Sequence, residues 1–334
     1  MAKDIKDKNL QREAERLQYS LRSTFFYRRR IKFKEPLEAI DRLDPSRYAW
    51  PSPQELGISK SAWEYVKNKG IPYHKVFYHP DIIIEDPHLI TYYRSIALLP
   101  QKGAQRLAFG VKDMEEGRGG ALSRERATLL AKLFNTYICT LIDGDPNFSL
   151  EDVLITGLMN FGTQLNGSWR NEIGTEGARR VKEMVLKHFL SKRAIRNIIL
   201  KDGSHLRPST SLPPIDELRE FTLSNGNKII IGSEPDISHL NPSNILEGAI
   251  EVKVGLDPAG ALERYGAAKR SFDRALEENK SAVTIYLASC ITKEVRRRIS
   301  RDRSFKKDFD LTGVLVTDTT REEFLNYLQW LVHL

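Results

Sequence analysis

Cysteine is nearly missing from this chain: Cys139 and Cys290 are the only two among 334 residues, and they stand far apart. That excludes a disulfide framework and a four-thiolate zinc site, and it suits a reducing cytosol. Long apolar runs are missing too. No stretch approaches the roughly 20 residues that cross a bilayer, and the opening MAKDIKDKNLQREAERL is charged, without the apolar segment of a secretory signal. The expectation is a soluble, cytoplasmic protein with no membrane partner. Seven histidines are present, but none falls in an HxxxH or HExxH spacing, and neither a Walker A nor a GxGxxG element occurs. A histidine-bound metal and a nucleotide cofactor are therefore not expected.

What is present excludes disorder: 40% of the residues are hydrophobic, enough to bury a core. The length permits about two domains. The formal charge of +8 comes from 52 Lys and Arg against 44 Asp and Glu, and it is unevenly spread. From Arg22 to Lys34 (RSTFFYRRRIKFK) six cations stand with no acid, and from Lys293 to Lys307 (KEVRRRISRDRSFKK) eight cations face two acids. Outside these two segments the chain is net acidic. Clustered cations are the footprint of a polyanion partner, usually nucleic acid, although a solvated basic face is the plainer alternative.

The organisation reads in two parts. Residues 1–205 carry mostly helical patterns, including a capped segment closing at Gly70 and SRERATLLAKLFNTYICTLI from residue 123. SLEDVLITGLMN and Thr175 to Leu190 are further helices, with GTQLNGSWRN read as a polar loop between them. SHLRPSTSLPPIDE then looks like a connector. Residues 206–334 read as an α/β unit: EFTL and KIIIG form a hairpin about Asn225–Gly226, and GAIEVKVG is the next strand. A helix from Pro258 to about Asn279 follows, then strand AVTIYLAS, a basic helix near Val295–Ile299, a strand LTGVLV, and a last helix from Thr320. The expected class is α/β, a mixed central sheet flanked by helices, with a largely helical N-terminal part.

The chemistry concentrates at Pro235–Asp236, placed at the end of one strand, and Glu251–Val252–Lys253 inside the next, with fourteen residues between Asp236 and Glu251. Period-two alternation puts Glu251 and Lys253 on one strand face and Ile250, Val252 and Val254 on the other. Charges on so apolar a strand are costly without a partner or a metal. Two carboxylates with a backbone carbonyl are donors that suit Mg²⁺. Here the chain resembles the PD-(D/E)XK nuclease superfamily over roughly residues 220–318. GAIEVKVGLDPAGALERYGAAKRSF, HLITYYRSIALLPQK and GTQLNGSWRNEIGTEGARR look like type II restriction endonucleases, nearest the XcyI group.

The resemblance implies that Asp236, Glu251 and the carbonyl of Val252 hold Mg²⁺, with Mn²⁺ as a substitute. Lys253 would orient or deprotonate the attacking water and stabilise the phosphate. The implied activity is sequence-specific hydrolysis of double-stranded DNA to 5′-phosphate ends by a homodimer. Glu234 and Glu247 stand near enough in sequence to add or replace a ligand. Structure-selective or repair cleavage on the same fold, and DNA binding without catalysis, are the rival readings. Candidate DNA contacts are Arg28, Arg29 and Arg30 with their interleaved aromatics, Arg94 and Lys102, and Gln164, Asn166, Arg170 and Asn171. Arg296, Arg297 and Arg298 would grip phosphate, and Lys269 either reaches the site or carries its ammonium out past the core.

Overall fold

The computed structural model describes residues 2–50, 52–208 and 213–334. Helices α1 (Ala2–Arg29), α2 (Ile31–Arg42), α3 (Lys60–Asn68), α4 (Tyr73–Val76), α5 (Pro80–Glu85), α6 (Ile90–Ile96), α7 (Gln101–Leu107), α8 (Lys112–Glu115), α9 (Arg124–Gly144) and α10 (Leu150–Ser191) come first. Strands β1 (Ile195–Leu200), β2 (His205–Leu206), β3 (Leu218–Leu223), β4 (Lys228–Ile231), β5 (Ile237–Leu240) and β6 (Leu246–Lys253) follow. Then come α11 (Ala261–Glu278), β7 (Val283–Ala288), α12 (Lys293–Ile299), β8 (Lys307–Asp310), α13 (Leu311–Val316) and α14 (Asp318–Leu331).

The chain divides into two compact units: Ser20–Trp169, and Arg170–Leu334 together with the chain up to Tyr19. The first unit is helical. Its α9 starts where the Ser123 hydroxyl accepts from the Arg126 amide, with Glu125 in the first turn. Ala127, Leu130, Ala131, Phe134, Ile138 and Ile142 recur at helical spacing along its buried face. Asn135 lies among them, yet its amide is satisfied: it accepts from the Tyr78 N–H at 2.8 Å and donates to the carbonyls of Leu56 and Tyr78.

The second unit holds an eight-stranded sheet in the order β2-β1-β3-β4-β5-β6-β7-β8. Pairing is antiparallel from β1 to β6 and parallel for β6–β7 and β7–β8. Each parallel connection carries its helix, α11 and then α12, because a parallel neighbour cannot be reached by a tight turn. Alternation along the strands supplies two cores. Ile250, Val252, Ile285 and Leu287 pack with Val181, Val185 and Phe189 of α10 and with Phe324 and Leu328 of α14. Ala249 and Tyr286 face the other way, onto Tyr265, Ala268 and Phe272 of α11 and Val295 of α12. Burying a side chain such as Phe272 completely is worth about 1.5–3 kcal/mol.

The sheet begins at Ile195, so this unit starts upstream of the SHLRPSTSLPPIDE connector, of which residues 209–212 lie outside the described residues. Two elements differ from expectation. LTGVLV is helical, because Asp310 caps it by accepting from the amides of Thr312 and Gly313. The supposed loop GTQLNGSWRN lies inside the 42-residue helix α10. Isolated glycines cost a helix only about 1 kcal/mol each. Two of those in α10 serve packing: a Cβ at Gly157 would press on the Phe33 ring, and one at Gly177 would overlap the Val254 side chain.

Candidate active site

Asp236 sits immediately before β5, not at the end of the preceding strand as the sequence suggested; β4 stops at Ile231. The antiparallel pairing of Ile237 with Ile250 sets the aspartate beside the C-terminal half of β6. Its Oδ2 accepts from the Val252 amide at 2.9 Å, and its Oδ1 faces the Lys182 ammonium of α10 at 3.2 Å. Lys182 also donates to the Gly232 carbonyl at 2.9 Å. A strand residue directs its N–H and C=O to the same edge, so the Val252 carbonyl opens toward Asp236 as well.

Glu251 is fully buried, on the face of β6 that carries Ala249. Lys253 donates to its Oε2, while Oε1 is buried without a hydrogen-bond partner. Burial pushes the Glu251 carboxyl above its ordinary pKa; the Lys253 ammonium and the Ser271 hydroxyl pull it back, and the charge on Asp236 pushes it up again. A buried carboxylate oxygen with no donor is costly. It is also a hard oxygen donor, the type a divalent cation takes. Among the described residues no three His, Cys, Asp or Glu side chains cluster to hold a metal. Asp236, Glu251 and the Val252 carbonyl do bring three oxygen donors together, of the kind taken by a divalent cation that keeps several waters. Glu234 is exposed and paired with Arg274, and Glu247 accepts from Asn241 at 2.8 Å.

The other expected site residues are scattered. Arg94 is a correction: it is fully buried, donating to both oxygens of Glu115, to the Leu99 carbonyl at 2.8 Å and to Gln164 at 2.7 Å. Arg94 and the Gln164 carbonyl thus bind one another inside the helical unit and do not offer themselves to a base. Asn166 accepts from Arg22 at 3.4 Å. Lys102, Arg170 and Asn171 are exposed, all three on helices rather than loops. Arg28 and Arg30 are exposed, and Arg29 is half-buried with its guanidinium over the buried Phe25 ring. Lys269 is anchored away from Asp236 and Glu251, on Asp273 at 2.9 Å and Asp302 at 3.3 Å. Arg296 pairs with Asp308, and Arg297 and Arg298 share Glu294, so these exposed cations are already partly neutralised.

Sequence reasoning missed Lys182, a single lysine in an ordinary amphipathic stretch with no spacing signal. It also missed Ser271, whose hydroxyl lies against the Glu251 carboxyl, and Tyr286 and Arg264, each with a buried side-chain atom that makes no hydrogen bond. Tyr286 stands in parallel register with Glu251. The polar lining therefore extends beyond Glu251 onto β7 and α11.

A mixed sheet with helices on both faces, and two carboxylates and a lysine at neighbouring strands, defines an α/β protein of restriction-endonuclease-like fold. The XcyI restriction endonuclease family model matches residues 56–324, and the chain belongs to that family. The type II restriction enzyme XcyI of Xanthomonas campestris pv. cyanopsidis is 26% identical over 222 residues, covering 62% of this chain and 61% of that protein. The match thus spans less than two thirds of that relative's length.

Proposed function

We propose that this protein is a type II restriction endonuclease that hydrolyses phosphodiester bonds at a fixed sequence in double-stranded DNA, using Mg²⁺ with Mn²⁺ as a substitute. The observation that carries the reading is the orphaned Oε1 of Glu251 beside Asp236 and Lys253, within the region matched by the family. Asp236, Glu251 and the Val252 carbonyl would hold the cation. When bound, the cation polarises the phosphoryl oxygen and acidifies a water.

The chain's own residues supply the rest. Lys253, held by Glu251, orients the water and stabilises charge gathering on the phosphate. Water oxygen bonds to phosphorus as the bond to the 3′ oxygen breaks, leaving a 5′-phosphate and a 3′-hydroxyl. Arg28, Arg30, Lys102, Arg170 and Asn171 are the exposed candidates for DNA contact, and Arg296, Arg297 and Arg298 would exchange their acidic partners for phosphates. A homodimer matches a palindromic site. The exposed side chains of Ile155, Leu158 and Met159, at helical spacing on α10, fit such an interface. Cytoplasmic action fits the near absence of cysteine.

The test is a digest of plasmid DNA of known sequence with Mg²⁺, with the ends mapped. Discrete bands with 5′-phosphate ends are expected, and Lys253→Met should lower the cleavage rate by roughly 10²–10³-fold while DNA binding persists. A smear would instead point to a structure-selective or repair nuclease. No cutting with any divalent metal would leave a DNA-binding protein.

A further inference from the structure

Lys182 of α10 reaches Asp236 from outside the sheet, and where it sits bears on how a cation could bind. Both oxygens of Asp236 are engaged. Oδ2 is committed to the Val252 amide, a backbone group fixed by the strand, at 2.9 Å. Among the described residues Oδ1 is engaged only by the Lys182 ammonium, at 3.2 Å, and that ammonium is steadied from behind by the Gly232 carbonyl at 2.9 Å. The side chain is long and largely screened from solvent, with 14% of it exposed. Its helix is pinned where Gly177 meets Val254, just past the catalytic strand.

We propose that Lys182 is a placeholder for the cation: it neutralises Asp236 in the metal-free protein, and a divalent ion must displace it from Oδ1 to bind. A cation on Oδ1 would sit about 2.1 Å from that oxygen, within a few ångström of an ammonium of like sign. The two cannot share the oxygen without strong repulsion in so buried a place. Glu251 has its own ammonium, Lys253, so the metal-free cluster holds two carboxylates and two lysines and is neutral. Lys253 leaves Oε1 open, whereas Lys182 covers the Asp236 oxygen that is not bound by backbone. Displacement therefore falls on Lys182. The device lowers the resting affinity for metal and spares the fold an unpaired buried carboxylate when metal is absent. This inference rests on the reading of Asp236 as a metal ligand.

The experiment titrates Mn²⁺ into the DNA-free full chain by calorimetry, with thermal unfolding as a check on folding. Lys182→Met should bind Mn²⁺ about tenfold more tightly, the order by which one neighbouring charge alters a carboxylate's hold on a cation. Lys182→Gln, which can still donate to the Gly232 carbonyl, should tighten binding too and decides the matter if the methionine variant fails to fold. Lys182→Arg should bind as the unmodified chain does. Folded neutral variants with unchanged or weaker Mn²⁺ affinity would overturn the proposal. Asp236→Asn separates the two ideas. If it loses Mn²⁺ while the Lys182 variants change nothing, the metal site stands and the placeholder fails; if it binds Mn²⁺ as before, Asp236 is not a ligand and both fail.

Discussion

Arg94 offers the sharpest test of how this chain uses its positive charge, because sequence and structure assign it different work. Arg94→Met keeps the length and apolar stem of the side chain but removes the guanidinium. Glu115, whose side chain is 3% exposed, would then lie buried without its cation, and the Leu99 carbonyl and Gln164 would each lose a donor. Breaking a buried ion pair from one side costs about 3–5 kcal/mol. For a unit of roughly 150 residues each kcal/mol moves the melting midpoint by about 2–4 °C, so the expected fall is on the order of 10 °C. Arg94→Lys should fall between, since an ammonium cannot reproduce the forked contact. Replacing both partners, Arg94→Met with Glu115→Leu, should recover most of the loss, because no uncompensated charge remains. Thermal and urea unfolding of these proteins, with Glu115→Leu alone added, completes the cycle. An Arg94→Met protein that melts like the unmodified chain but cleaves the wrong sequence would refute this reasoning and make Arg94 a base-reading residue.

The parts of the fold that were legible are those whose determinants are local. The β3–β4 hairpin was announced by Asn225–Gly226, and Gly226 does take a φ of 89°. Strand β6 was visible as an apolar run, and Glu251 and Lys253 stood out within it because charge on such a strand demands a partner. Four-residue β5 and charged β8 carry too little pattern to be seen. LTGVLV has a strand's composition, but its helix is decided by a cap one residue upstream. The DNA contacts were least legible. Whether an arginine is free depends on acids remote in sequence, as Glu115 is from Arg94 and Asp308 is from Arg296. A count of cations cannot see this, and the clusters that looked most like phosphate grips turn out to be internally paired or stacked on rings.

Two further outcomes test the packing and electrostatics of the second unit. Gly177→Ala should lower the melting midpoint although alanine favours the helix by about 1 kcal/mol. The added Cβ would overlap Val254, and overpacking of this kind costs about 1–3 kcal/mol; a midpoint that rises would show that α10 lies farther from β6. Glu251→Gln should abolish cleavage yet stabilise the metal-free protein at neutral pH. Because burial raises the Glu251 pKa, the folded state holds its proton more firmly than the unfolded state. The stability tied to that proton is complete below the ordinary glutamate range and is lost as pH rises through the folded-state pKa. Glutamine is neutral throughout, so its advantage, on the order of 1 kcal/mol, should be present at neutral pH and vanish on acidification. Thermal unfolding in EDTA across that range measures it. An advantage that instead grew toward acid would mean that the fold favours the charged carboxylate, with Lys253 outweighing burial.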